Sequence, residues 1–220
     1  MTIDEVYKFV KLMANKENRG WIKPSEFNLL ATRAQLDLIK DRVGSISQDG
    51  VVNGYKDNSQ LQDELYGVIT EATLTVTSEV FTFPADYLNF LSLTYNGVEV
   101  DMVNSSSITR RVKSQLNPPT EDFPVGVITS TGFRIYITDS GPINNGNVIL
   151  RYIQTPTAPN WAFTVVNNIE VYNPSSAVQL TLTEGTHKEI AHRILAYIGV
   201  TLREANIVEY GTTTVVEQGK

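Results

Sequence analysis

There is no cysteine in the 220 residues. That removes disulfide scaffolds, thiolate zinc sites, iron–sulfur clusters and cysteine nucleophiles together. Histidine is scarce: His187 and His192 are the only imidazoles, which leaves little for acid–base or metal chemistry. Basic residues are outnumbered, with 18 Lys and Arg against 24 Asp and Glu, for a formal charge of −6. A general grip on DNA or RNA comes from neutralising phosphates with Lys and Arg, and this balance does not supply it. Charge of either sign is low, at 19% against about 25% in ordinary domains. No apolar run approaches the ~20 residues that span a bilayer. The start Met1-Thr2-Ile3-Asp4-Glu5 is acidic where a secretory signal is basic, and no apolar h-region follows it. A product made in the cytoplasm, and kept there or assembled from there into something larger, is expected.

What is present suits a packed interior. Hydrophobic residues make up 41% and aromatics 9%, and the Thr, Ser and Asn that replace charge favour strands and turns. Thr2-Ile3-Asp4-Glu5 fits a capping box, and Ile3, Val6, Val10 and Met13 then share one helical face, which predicts a helix over 3–16. A second helix is predicted from Ser25 to about Arg42, with Phe27, Leu30, Ala31, Ala34 and Leu38 as its stripe and Pro24 just before its cap. The short connection suggests an antiparallel pair. Residues 43–58 read as a loop, and Ser59 to Ile69 as a short helix.

From Thr73 the period changes to two. Val80 to Thr82, Leu88 to Thr94, Val98 to Val100, Val125 to Ile128, Phe133 to Ile137, Val148 to Ile153 and Ile169 to Tyr172 are strand-like. Asn96-Gly97 between two of these runs predicts a type I′ hairpin. Ser106 to Leu116 interrupts them as a short basic helix. Thr186-His187-Lys188-Glu189 looks like a second capping box, opening a helix with the stripe Ile190, Ile194, Ile198 and Leu202. The expected class is α+β: a helical bundle from residues 1–70 with 184–206, an inserted β-sandwich over 71–183, and a tail over 207–220.

Motifs of catalysis are missing. There is no P-loop, no dinucleotide fingerprint and no nucleophile elbow. His187 and His192 lie five residues apart, about 140° around a helix, where a zinc pair needs a spacing of four. They read as solvated residues at a helix start. No enzyme and no cofactor is expected. Arg110, Arg111 and Lys113 form the one basic cluster, which reads first as the solvated face of a short helix, given the net charge of −6, and second as a contact for DNA phosphate or an acidic face on a partner. Ile207, Val208, Tyr210, Val215 and Val216 make the tail too apolar to be purely solvated, so it reads as an assembly arm that docks on a neighbouring chain by adding its own Thr212 to Val216 as a strand. Trp21 and Trp161 read as plugs under loops.

A resemblance carries the reading further. The run Asn15-Lys16-Glu17-Asn18-Arg19-Gly20-Trp21-Ile22-Lys23-Pro24-Ser25-Glu26-Phe27-Asn28, with Ala34-Gln35-Leu36-Asp37 behind it, resembles the opening of structural proteins from tailed bacteriophages, including crAss-like phages. Phe83-Pro84-Ala85-Asp86-Tyr87-Leu88, Asn117-Pro118-Pro119-Thr120, and Arg151-Tyr152-Ile153 with Pro156, Pro159 and Trp161 look like the same group. So does the closing run from Ala191 to Val200. The resemblance implies a head-to-tail adaptor, or connector ring protein, of a short-tailed phage. Such a protein forms a ring under the portal, twelve copies in the family at large, and extends the channel through which double-stranded DNA leaves. The implied partners are copies of itself, the portal protein and neighbouring tail or ring proteins, with no membrane, and the implied location is the head–tail junction of the virion. Another tail ring (a tube or hub layer) and a glycan-binding β-sandwich are the competing expectations.

Overall fold

The protein is described by a computed structural model over residues 1–15, 22–47 and 63–202. It is an α+β chain that divides into two compact units: Met1–Val68 with Pro156–Lys220, and Ile69–Thr155.

The first unit opens with helix α1, Ile3–Asn15. The predicted capping box is made in full: the Glu5 N–H donates to the Thr2 hydroxyl at 3.3 Å, and the Thr2 N–H to the Glu5 carboxylate at 2.9 Å. Ile3, Val6 and Val10 are fully buried, as the stripe requires. Helix α2, Pro24–Ser47, departs from expectation at both ends. Pro24 is its first residue rather than a residue before the cap, because the N–H a proline lacks is unsatisfied there anyway. The Lys23 N–H donates to the Glu26 carboxylate at 3.1 Å, half of a capping box. At the other end the helix runs past Arg42, since buried Arg42 and Val43 continue the stripe of Phe27, Ala31, Ala34 and Leu38. The helix expected over 59–69 is, in its described part, one turn at 63–65 and a 3-10 turn at Tyr66–Val68. Ile69 already belongs to a strand.

The second unit contains β1 (Ile69–Thr73), β2 (Val76–Thr77), β3 (Val80–Thr82), β4 (Tyr87–Tyr95), β5 (Val98–Glu99), β6 (Asp101–Met102), a short helix α3 (Ile108–Val112), β7 (Val125–Ile128), β8 (Gly132–Tyr136) and β9 (Val148–Gln154). They form a four-stranded sheet in the order β1-β9-β4-β5 and a five-stranded sheet in the order β2-β3-β8-β7-β6. Every pairing is antiparallel except β6 with β7. Leu93, Tyr95, Leu150 and Tyr152 of the first sheet share one buried cluster with Phe81, Phe133 and Ile135 of the second. The Asn96-Gly97 turn has φ of 49° and 87° with Tyr95 opposite Val98, the expected I′ hairpin. Ser78-Glu79 makes a second turn of this kind, at φ of 50° and 65° with Thr77 opposite Val80. Neither residue announces it. The basic helix α3 is five residues long, shorter than the Ser106–Leu116 expected.

The chain then returns to the first unit. Strands β10 (Phe163–Val166) and β11 (Ile169–Tyr172) form an isolated two-stranded hairpin. Residues 156–183, placed with the strands by periodicity, thus belong by contact to the helical unit. A 3-10 turn, Glu184–Thr186, leads into helix α4, His187–Leu202, which packs against both α1 and α2. Helices α1 and α2 meet through Tyr7, edge-on to Phe27 with ring centroids 5.0 Å apart. The second capping box does not form: the Thr186 hydroxyl donates to the Thr183 carbonyl at 2.8 Å, and Glu189 turns inward.

Candidate interaction surfaces

The basic cluster is partly committed inside its own unit. Arg111 lies 3.7 Å from Asp101 and donates to the Asn117 carbonyl. Arg110 and Lys113 are exposed. The shallow depression beside them, about 730 Å³, is also lined by Glu121 and Asp139, so the surface is mixed in sign rather than a phosphate-binding patch.

Around His187 and His192 the expectation of solvated residues is overturned. His187, Glu189 and His192 are 5%, 3% and 8% exposed. The His187 ring faces the Met1 carbonyl at 2.5 Å and the Leu182 carbonyl at 3.0 Å, tying the N-terminus to α4. Glu189 accepts from Arg42 at 2.6 Å and from Arg193 at 2.9 Å; Arg42 also reaches Glu64 at 2.7 Å, and Arg193 reaches Asp41 at 2.8 Å. Burial lowers the His192 pKa below the ordinary imidazole value, against the Glu189 carboxylate, which raises it. Burial would lower the Arg193 pKa, yet hydrogen bonds to Glu189 and Asp41 leave it raised. This is a charge network that clamps α2 to α4. Among the described residues, no group of three or more His, Asp or Glu is placed to hold a metal ion.

Two side chains of α2 hold the returning segment. Asn28 donates to Asn160 at 2.7 Å and accepts from the Trp161 N–H at 2.7 Å. Gln35, 1% exposed, accepts from the Thr181 N–H at 3.0 Å and donates to the Thr157 carbonyl at 3.4 Å. Trp161 is buried, as expected of a plug: its indole N–H donates to Asp4 at 3.0 Å and its ring lies against Tyr7, Phe163 and Tyr172. Trp21 lies outside the described residues. In the second unit, two of the motifs meet. The Tyr152 hydroxyl donates to Asp86 at 2.9 Å, and the Thr155 N–H to the Asp86 carbonyl at 2.7 Å. Burial first, and the Asp86 carboxylate second, push the Tyr152 pKa up to about 12. No spacing rule links residues so far apart, so sequence reasoning could not pair them.

The most conspicuous surface is the hairpin. Phe163, Val165, Val166, Ile169 and Val171 are all exposed, from 40% to 66%. Strand β10 escaped the periodicity reading, although Asn167-Asn168 between two apolar runs is a I′ signal that could have found it; both have positive φ, 50° and 64°. Between β11 and α1 lies a groove of about 540 Å³. The tail residues Ile207, Val208, Tyr210, Val215 and Val216 lie outside the described residues. No helix among those described is long and apolar enough to cross a membrane. No family model matches the chain, and no curated protein matches it.

Proposed function

We propose that the chain is a structural virion subunit: a head-to-tail adaptor that forms a ring below the portal, joins phage head to tail and extends the channel for DNA ejection. The observation that carries this reading is the exposed apolar hairpin on the helical unit. Five large apolar side chains on two short strands make a surface of the kind that protein partners cover, and no deep polar cleft competes with it among the described residues. The resemblance of the opening motif to phage structural proteins gives the partner class, with copies of the chain, the portal and adjoining rings as its neighbours. On this reading α1, α2 and α4 act as a helical bundle, and the two sheets of the second unit as a β-sandwich. A ring requires two different complementary surfaces on each subunit, and a chain of two units has room for both. The formal charge of −6 suits a channel wall along which DNA slides without being held. The subunit is read as non-catalytic and free of cofactors. Trp161, which a glycan-binding module could use as a platform, is buried.

Native mass spectrometry of the purified chain, with and without the portal protein of the same phage, tests the proposal. A closed assembly of portal symmetry is expected when the portal is present, with contacts burying about 2,000 Å² or more as permanent assemblies do. A chain that stays monomeric in both conditions would overturn it.

A further inference from the structure

The groove between α1 and β11 has an unusual wall. On one side stands the α1 face carrying Asp4, Tyr7, Lys8 and Lys11; on the other run the five consecutive residues 168–172. Successive side chains of a strand point to opposite faces. A cavity that meets all five therefore follows the edge of β11, not one of its faces. Trp161, two residues before β10, also lines it, stacked on Tyr172 with ring centroids 5.6 Å apart, but no residue of β10 itself does, which fits the outer edge. The hydrogen-bond phase of the hairpin agrees. The Asn173 N–H donates to the Ala162 carbonyl at 2.9 Å, and the register then makes Thr164 with Val171 and Val166 with Ile169 the bonded pairs. The N–H and C=O groups of Glu170 and Tyr172 point outward, with no backbone partner among the described residues.

An open edge of this kind is a template for another extended chain, and proteins usually blunt it with Lys, Pro or a bulge. Ile169-Glu170-Val171-Tyr172 has neither a Lys nor a Pro, and its register with β10 is unbroken. A two-stranded ribbon is also marginal in water, while a third strand makes such a sheet secure. We propose that the outer edge of β11 is a strand-acceptor site, filled by residues 212–216 of a second copy of this chain. Thr212-Thr213-Thr214-Val215-Val216 is the longest run of β-branched residues in the sequence, and its about 17 Å of extended chain is enough to cover the about 14 Å of the four-residue β11. Glu209 and Glu217 flank the run, opposite in sign to Lys11 and to Lys8 on the facing wall, the latter already paired with Asp4 at 2.7 Å. That the arm comes from another copy rests on the ring reading, in which each subunit engages the next.

The absence of cysteine makes disulfide trapping a clean test. Full-length Val171→Cys is mixed in turn with full-length chains carrying one substitution each: Thr212→Cys, Thr213→Cys, Thr214→Cys, Val215→Cys or Val216→Cys. Val171 pairs back to β10, so an antiparallel newcomer places its Cα about 4.5 Å away, within disulfide reach. Under mild oxidation, the mixed dimer identified by mass should rise and fall with period two along 212–216. Thr164→Cys on β10 should trap at least tenfold less. No trapping, a flat yield along the tail, or equal trapping at Thr164→Cys overturns the site. A chain carrying Val171→Cys together with the best tail cysteine decides the source: a cross-linked monomer in place of dimers overturns the second-copy assignment. The portal is absent throughout, so this result is independent of the portal test above.

Discussion

A carboxylate shut between two guanidiniums is stable only while all three charges remain. Glu189, 4% exposed at its side chain, neutralises Arg42 and Arg193 at once. Glu189→Ala leaves Arg42 with Glu64 alone and Arg193 with Asp41 alone, and since each arginine keeps one carboxylate the cost should fall toward the lower end of the about 3–5 kcal/mol of a fully broken buried pair. Denaturant titration at neutral pH should show that loss, and a change below about 1 kcal/mol would mean that water reaches the network. Nothing near Glu189 in the chain reveals its role: as a first-turn acid it reads as a capping residue, and its partner Arg42 lies 147 residues away. Two tyrosines make a second prediction at this scale. Burial and then Asp86 raise the Tyr152 pKa to about 12; burial and then Asp37, 2.7 Å away, raise that of Tyr197 to about 12. Each phenol ionises near 10 in the unfolded chain and stays neutral in the folded one. Their contribution is therefore intact below pH 10 and is lost as pH rises from 10 toward 12. Tyr152→Phe with Tyr197→Phe should flatten the fall in melting temperature over that range. An unchanged alkaline slope would show that other groups cause it.

At the scale of elements, the two tight turns of the second unit make a natural comparison. Both hold two residues at positive φ, one pair Asn96-Gly97 and the other Ser78-Glu79. An L-residue with a Cβ sits there at a cost of about 1–2 kcal/mol, which Asn reduces and Gly abolishes. Ser78→Asn with Glu79→Gly should therefore stabilise the protein by about 1 kcal/mol, read as a higher denaturation midpoint with an unchanged slope. A neutral or negative result would mean that the Glu79 side chain makes a compensating contact. Asn96-Gly97 was legible in the sequence because its residue types are those its geometry demands. Ser78-Glu79 was not, because the hairpin β2–β3 is imposed by its place beside β8. Helix α2 teaches the same lesson: its last turns hold because Arg42 and Val43 are buried, a fact external to their propensities.

For the molecule as a whole, folding and assembly should be separable. The tail contributes burial only between chains on the reading proposed above, so deleting residues 208–220 should change the melting temperature of the isolated protein by less than about 2 °C, the shift of a surface change in a chain this size. The same deletion should abolish association with the portal in native mass spectrometry. Loss of the fold on deletion, or unimpaired association, would count against the tail as an assembly arm.

What the sequence by itself determined are the features settled within a few residues: the Thr2–Glu5 capping box, the stripes of α1 and α4, the Asn96-Gly97 turn, and the α+β class. Their energetics involve neighbours in the chain, so the residue types suffice. The tertiary structure alone decided the partners of Glu189 and Gln35, the meeting of Asp86 with Tyr152, and the pairing of β1 with β9. It alone left the hairpin's apolar side chains facing solvent. A period of two reads the same whether a strand meets a core or water. Which of these it meets depends on segments distant in sequence, and no local pattern records them.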